Sequence, residues 1–274
     1  DAYPLVKQEA RNAFQDDELY LEKFIENPRH VEIQVLADKH GNAIHLGERD
    51  CSIQRRNQKI IEESPSTVLD ETLRNKMGKA AMKAVKASGY YNAGTIEFLV
   101  DKNKDFYFME MNTRVQVEHP VTEMQTGIDI VKEQIRIAAG ETLRFTQKDI
   151  SFSGHTIECR INAENPEKNF IPCPGTIQEL NLPGGNGVRI DTAIYSGYTI
   201  PPVYDSMLAK IICHGEDRKE AIAKMKRALE EVVIDGITTN VDFLYEILED
   251  VDFEEGNFDT SFLEVKKQKK EKLL

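Results

Sequence analysis

Between Phe106 and Glu123 the chain reads Phe-Tyr-Phe-Met-Glu-Met-Asn-Thr-Arg-Val-Gln-Val-Glu-His-Pro-Val-Thr-Glu, a run whose residue types could do chemistry. Glu110, Asn112, Arg114, Gln116 and Glu118 occupy every second position, and Met109, Met111, Val115 and Val117 fill most of the gaps. If the run stays extended, successive side chains point to opposite faces, so the five polar groups share one side. Carboxylate and amide oxygens without a lysine suit a hard cation. A planar guanidinium beside an amide suits a small planar oxyanion. His119-Pro120 ends the run, because proline offers no amide hydrogen, and from Val121 the spacing turns helical. A solvated strand face is the competing reading of any alternating strand; this combination of groups favours a site.

The element that must position this run is the strand before it. Gly94 to Val100 is rich in β-formers, and Asp101 to Asp105 is a polar connection of hairpin length. Pairing the two strands antiparallel brings Glu97 and Glu110 together as direct or diagonal neighbours. Two carboxylates that close need a positive charge between them, so Glu97, Glu110 and Asn112 form a candidate magnesium platform for substrate phosphates. Glu97 could instead pair with a nearby lysine.

Further elements follow from periodicity. Leu5, Val6, Ala10, Ala13 and Phe14 have helical spacing, in a chain that begins mid-pattern like a piece of a longer protein. Leu19 to Ile25 reads as a strand, then His30 to Ala37 as a second with strict alternation, turning at Asp38 to Asn42 into Ala43 to Leu46. Glu48 to Lys59 is too polar for core and reads as a solvated loop or as site-forming. Asp70 caps a helix with Leu73, Met77, Ala80, Ala81, Ala84 and Val85 on one face and Gly89 as its stop. Val121, Met124, Ile128, Val131, Ile135 and Ala138 predict one helix ending at Gly140. The pattern resets near Phe145 to Ser153, which divides the chain into domains at 1–150 and 151–274. In the second part His155 to Asn162, Gly175 to Leu182, Val188 to Ile194 and Ser206 to His214 are strand candidates. Pro183 to Gly187 is a turn, because no helix follows it to make a phosphate loop. Asp217 to Val233 and Asn240 to Leu248 are amphipathic helices, and Lys266 to Lys272 is a solvated charge run. The expected class is α+β: an antiparallel sheet with flanking helices, followed by a smaller β-rich domain.

A formal net charge of -12 argues against a nucleic-acid backbone as partner, and no apolar run approaches the length of a membrane span. Cys51, Cys159, Cys173 and Cys213 are scattered without a Cys-x-x-Cys pair, which fits free thiols in a reducing cytoplasm.

The runs Glu22 to Glu32, Glu48 to Arg56, Glu110 to Pro120 and Glu158 to Glu164 closely resemble those of biotin carboxylase, an ATP-grasp ligase, in particular the separate subunit of bacterial acetyl-CoA carboxylase. The resemblance runs end to end. It implies the C-terminal part of an ATP-grasp domain plus the biotin carboxylase C-terminal domain, without counterparts to the family's N-terminal domain and most of its lid. It further implies that Glu22, with the backbone of Lys23 and Ile25, binds adenine. His30, Gln54 and Lys59 line the nucleotide and phosphate side, with Asn57 standing where the family commonly has histidine. Glu97, Glu110 and, more weakly, Asn112 hold magnesium or manganese against the ATP phosphates. Arg114, Gln116 and the backbone of Val117 bind bicarbonate, with Lys59 also among the bicarbonate and biotin contacts. Glu118 removes the bicarbonate proton, and Arg160 stabilises the enolate of biotin; the competing role for Arg160 is an ion pair with Glu158 or another acid. Implied partners are biotin on its carboxyl carrier protein, carboxyltransferase subunits and a second copy in a homodimer. Arg189 would fall at that dimer interface, with Asn186 replacing a usual aromatic. The implied process is fatty acid biosynthesis in the cytoplasm. The fragment by itself is expected to be inactive for want of half the phosphate clamp. Alternatives are a non-catalytic dimerisation or binding module, the carboxylase part of a pyruvate or propionyl-CoA carboxylase, or another ATP-grasp ligase, which the Arg-x-Gln-x-Glu run and Arg160 disfavour.

Overall fold

A computed structural model describes residues 2–271; Lys272, the end of the expected charge run, lies outside the described residues. The strands that matter are β1 (Arg29–Ala37), β2 (Ala43–Arg55), β3 (Gln58–Ser64), β4 (Asn92–Val100), β5 (Phe106–Asn112), β6 (His155–Asn162), β7 (Val188–Thr192) and β8 (Met207–Gly215). All pair antiparallel in one 8-stranded sheet of order β7-β8-β6-β3-β2-β1-β4-β5. The sheet is continuous across the expected boundary near residue 150, because β3 pairs with β6 through Ile61 opposite Cys159 and Glu62 opposite Glu158.

Alternation gives the sheet two unlike faces. On one, Val31, Ile33, Val35, Ile96 and Phe98 pack beneath helix α2 (Glu71–Ser88). Farther along, Ile61, Ile157, Cys159 and Ile211 pack with α5 (Arg218–Glu231) and α6 (Val241–Leu248). The opposite face carries acids, amides and cations, described below. Asp70 caps α2 by accepting from the Leu73 amide, and Gly89 ends it at φ 65.

Several expectations are corrected. Leu19 to Ile25 forms no strand, and Tyr20, Leu21 and Phe24 stand exposed, so its apolar side chains gain no buried face. Helix α1 (Ala2–Phe14) forms as spaced but buries none of its residues. Glu48 to Lys59 is a hairpin, not a loop: β2 runs on to Arg55, and Arg56 and Asn57 turn it at φ 49 and 64. Glu48, Arg49 and Asp50 are buried because partners meet them, Asp50 taking Arg29 of β1 at 2.7 Å and Glu48 taking Arg74 of α2 at 2.7 Å, while Arg56 at the turn is exposed. The single helix predicted to Gly140 is two, α3 (His119–Thr126) and α4 (Ile130–Ala138), broken by Gly127 at φ 72 and restarted by an Asp129 cap. The strand expected over Gly175 to Leu182 shrinks to Leu180–Asn181. Cys51, Cys159 and Cys213 are buried free thiols. No described helix is long and apolar enough to cross a membrane.

Candidate active site

A cavity of about 1030 Å³ opens over the polar face, and every residue assigned to the site by resemblance lines it. A second cavity of about 800 Å³ between β2 and α2 is rimmed by Lys79, Lys83 and Lys86 and contains none of them.

Register builds one row across the cavity floor: Arg49 on β2 faces Glu32 on β1, Glu32 faces Glu97 on β4, and Glu97 faces Glu110 on β5. The expected pairing of Glu97 with Glu110 is therefore direct. Asn112 joins them, donating to Glu97 at 3.0 Å and to Glu110 at 3.2 Å.

The run after Asn112 departs from expectation. Strand β5 stops there, and residues 113–118 form an irregular turn with Glu118 just before α3. Strand alternation is thus not what gathers the polar groups; the turn folds Arg114, Gln116 and Glu118 over the same cavity as Glu110 and Asn112. Arg114 stands exposed at the wall, with a bond to the Val115 carbonyl at 3.4 Å. Gln116 and Glu118 are buried.

Lys59, reaching in from β3, ties the site together. Its ammonium donates to Glu32 at 2.6 Å, Glu97 at 3.1 Å and Glu118 at 2.5 Å. Burial opposes charging this amine, but the surrounding anions outweigh it and raise its pKa, so it is an ammonium throughout the working range. The alternative of a lysine partner for Glu97 is realised here. Burial would raise the Glu97 carboxyl, yet hydrogen bonding from His30 and the Lys59 charge hold it at about 2. His30 Nε2 lies 2.8 Å from Glu97, while Gln54 donates to its Nδ1 at 2.6 Å, which selects the Nε2–H tautomer.

Arg160, on β6, donates to Glu62 at 2.6 Å and to Glu118 at 3.0 Å. An ion pair with an acid is realised, although the acids are Glu62 and Glu118, not Glu158. Among the described residues, neither Glu158 oxygen nor Oε2 of Glu62 has a hydrogen-bond partner. Burial, then the facing Glu62, pushes the Glu158 carboxyl far up, and burial raises Glu62 as well.

Glu22, Lys23 and Ile25 line the cavity from an irregular segment, and Asn57 from the β2–β3 turn. Arg189 bonds within the chain, to Glu123 at 2.6 Å and Asp191 at 2.8 Å. Sequence reasoning missed Arg49, Glu32, Glu62 and Lys210, whose ammonium holds the Val117 carbonyl at 2.8 Å. A charged residue inside an apolar alternation, as Lys210 is in β8, was the available signal.

The donor set fits a divalent cation at Glu97, Glu110 and Asn112: two facing carboxylates and an amide, with Glu110 exposed and hydrogen-bonded by Asn112. Two other convergences, His30 with Glu32 and Glu97, and Glu32 with Cys51 and Glu118, also bring ligand atoms within 4.8 Å of one another. Lys59 bonds Glu32, Glu97 and Glu118 and so already supplies the positive charge in both groups.

Residues 1–146 match the family described as carbamoyl-phosphate synthase L chain, ATP binding domain, and residues 158–265 match the biotin carboxylase C-terminal domain. The chain belongs to the biotin carboxylase family. It is 60% identical to biotin carboxylase 1 of Bacillus subtilis (strain 168) over 95% of this chain and 58% of that protein. A pyruvate carboxylase subunit from Methanothermobacter thermautotrophicus is 57% identical over 93% of this chain and 52% of its own length. The chain thus spans little more than half of these biotin carboxylase relatives. Among solved structures, the biotin carboxylase domain dimer of Hydrogenobacter thermophilus 2-oxoglutarate carboxylase, in complex with MgADP, ADP and bicarbonate, superposes with a TM-score of 0.93 at 54% identity. That match covers 96% of this chain and 58% of the other.

Proposed function

We propose that this chain carries the catalytic face of a biotin carboxylase, which uses ATP and bicarbonate to carboxylate biotin on a carrier protein. The observation that carries the reading is the cavity in which Glu118 meets both Lys59 at 2.5 Å and Arg160 at 3.0 Å, beside Gln116 and Arg114.

Bicarbonate enters between Arg114, the Gln116 amide and the Val117 backbone, whose donors match a planar oxyanion, with the Lys59 charge beside it. Glu118 takes the bicarbonate proton, and the freed oxygen attacks the γ-phosphate of ATP, giving carboxyphosphate as ADP leaves. Positioning dominates the rate of such a transfer. Glu22, Lys23 and Ile25 hold the adenine; His30, Gln54 and Asn57 flank the nucleotide. Glu97, Glu110 and Asn112 would hold magnesium or manganese, which supplies charge against the phosphate oxygens. The carboxyphosphate formed breaks into carbon dioxide and phosphate, and phosphate accepts the ureido proton of biotin. Arg160, a fixed guanidinium, stabilises the enolate that results, whose ureido nitrogen then bonds to the carbon of the released carbon dioxide.

The reading extends to a cytoplasmic homodimer working with a biotin carboxyl carrier protein and carboxyltransferase subunits, as in acetyl-CoA carboxylase and fatty acid biosynthesis. It also extends to two domains, 1–150 and 151–274, sharing the sheet. Relatives named for pyruvate and 2-oxoglutarate carboxylases support a second reading in which only the final acceptor differs. The test is ADP release dependent on bicarbonate and biotin by the full-length natural protein, beside its Glu118→Gln and Arg160→Ala forms. Loss of biotin-dependent turnover in Arg160→Ala and of bicarbonate dependence in Glu118→Gln is expected. Unchanged rates in both would remove the mechanism.

A further inference from the structure

Arg49 belongs to the run Glu48-Arg49-Asp50-Cys51-Ser52, which contributes no group to the chemistry proposed for the cavity. It sits at the centre of the sheet, 0% exposed, and is the largest of the fully buried side chains. A guanidinium has five N–H donors. Here each has an acceptor: Nε meets Glu32 at 2.6 Å, Nη1 meets Gln34 at 2.6 Å and Thr122 at 3.0 Å, and Nη2 meets Thr95 at 3.1 Å and the Gln116 Oε1 at 3.0 Å.

The bond to Gln116 bears on the anion site. The two ends of a glutamine amide have nearly the same shape and opposite polarity. Arg49 can only donate, so it selects the oxygen of Gln116; Glu97, an ionised acceptor, takes the nitrogen at 2.6 Å. Between them the amide has one allowed orientation. Its second N–H is then left for the cavity, whereas a flipped amide would present a carbonyl to an anion. Arg49 also grips Glu32 Oε1, whose other oxygen holds Lys59 at 2.6 Å.

We propose that Arg49 is a positioning residue for the oxyanion substrate: it fixes the Gln116 amide so that an N–H and not the carbonyl is turned to bicarbonate, and through Glu32 it fixes the place of the Lys59 positive charge beside that site. The inference rests on the carboxylase reading of the site. A lysine at this position keeps the charge but not the planar fork, and cannot hold Glu32 and Gln116 together.

The experiment is steady-state ADP release by the full-length natural protein, titrated with bicarbonate at saturating MgATP and with MgATP at saturating bicarbonate. Losing a positioned hydrogen bond to a charged substrate corresponds to a change of about tenfold, so Arg49→Lys is expected to raise KM for bicarbonate about tenfold or more with KM for MgATP within about twofold. A purely structural role would shift both constants alike or lower kcat alone, and either result overturns the proposal. Should Arg49→Lys not fold, or turn over too slowly to measure, Thr95→Val decides, since it removes an acceptor of the same Nη2 nitrogen. A selective rise of about threefold in KM for bicarbonate supports the proposal, and no selective rise overturns it. If the unsubstituted protein shows no bicarbonate-dependent ADP release, the carboxylase reading itself falls and takes this role with it.

Discussion

Replacing Lys59 by methionine removes the cation from a buried group of three carboxylates. Its ammonium lies 2.6 Å from Glu32, 3.1 Å from Glu97 and 2.5 Å from Glu118. At an effective dielectric of about 20, the contacts are each worth roughly 5–7 kcal/mol of gross attraction, offset by the several kcal/mol needed to strip the ammonium of water. Arg49 still holds Glu32, His30 still bonds Glu97, and Arg160 still holds Glu118, so no acid loses every partner. The net destabilisation at pH 7.5 is therefore expected at about 3–5 kcal/mol, the range for breaking a buried pair from one side. Acid should narrow the gap. In the parent Glu97 is held at about 2, so the stability it contributes is present above its ordinary value of 4.5 and lost as pH falls toward 2. In the variant Glu97 lacks the Lys59 charge that helps to hold it down, so it takes up its proton sooner as pH falls, which relieves the repulsion among the acids. Urea unfolding of both proteins at pH 7.5 and 4.5 measures this. A loss below about 1 kcal/mol at pH 7.5, or one that grows on acidification, would refute the electrostatic account of the cavity floor.

Glu63, buried between His155 and Arg218, is the cleaner pH probe: burial would raise its carboxyl, but the His155 hydrogen bond and the Arg218 charge lower it from 4.5 to about 2. Its contribution of about 3 kcal/mol is present above pH 4.5 and lost as pH falls toward 2, so Glu63→Gln should flatten the acid limb of a stability–pH curve, and an unchanged limb would contradict this. Glu158, pushed far up by burial, has the opposite sign: it costs more as pH rises above 4.5, so Glu158→Gln should gain on the parent between about pH 5 and pH 7 in the same unfolding assay, and a growing deficit would show an ionised Glu158. Met77→Ala, at a 0% exposed position beneath the sheet, should cost about 2–5 kcal/mol in thermal or urea unfolding without altering the cavity's chemistry.

The sheet hairpin was legible because β-rich segments flank a short polar turn, which set Glu97 opposite Glu110. Helix α2 was legible because Asp70 and Gly89 bracket it with the chemistry that starts and stops a helix. The Glu48 to Lys59 stretch was not, since local polarity gives no hint that a partner strand stands ready to neutralise it; Glu32 for Arg49 is 17 residues away in sequence. The turn at 113–118 hid behind its own alternation: a period of two in residue type does not compel an extended backbone, and here the sheet edge has ended at Asn112. The break at Gly127 carried a signal that the periodic stripe masked, a glycine followed two residues later by a capping aspartate. Which acids Arg160 would meet was beyond reach, because Glu62 and Glu118 arrive from β3 and from the turn before α3.

The central claim is that one sheet face and the turn above it place a proton acceptor within reach of an oxyanion bound beside ATP. Its most direct test is single-turnover ADP release by the full-length natural protein bearing Glu118→Gln, with and without bicarbonate, alongside its affinity for MgADP. The account predicts that bicarbonate stimulation disappears while nucleotide affinity stays within about twofold, since Glu118 contacts Lys59 and Arg160 and none of the predicted adenine-binding residues. Full bicarbonate stimulation in that variant would contradict it.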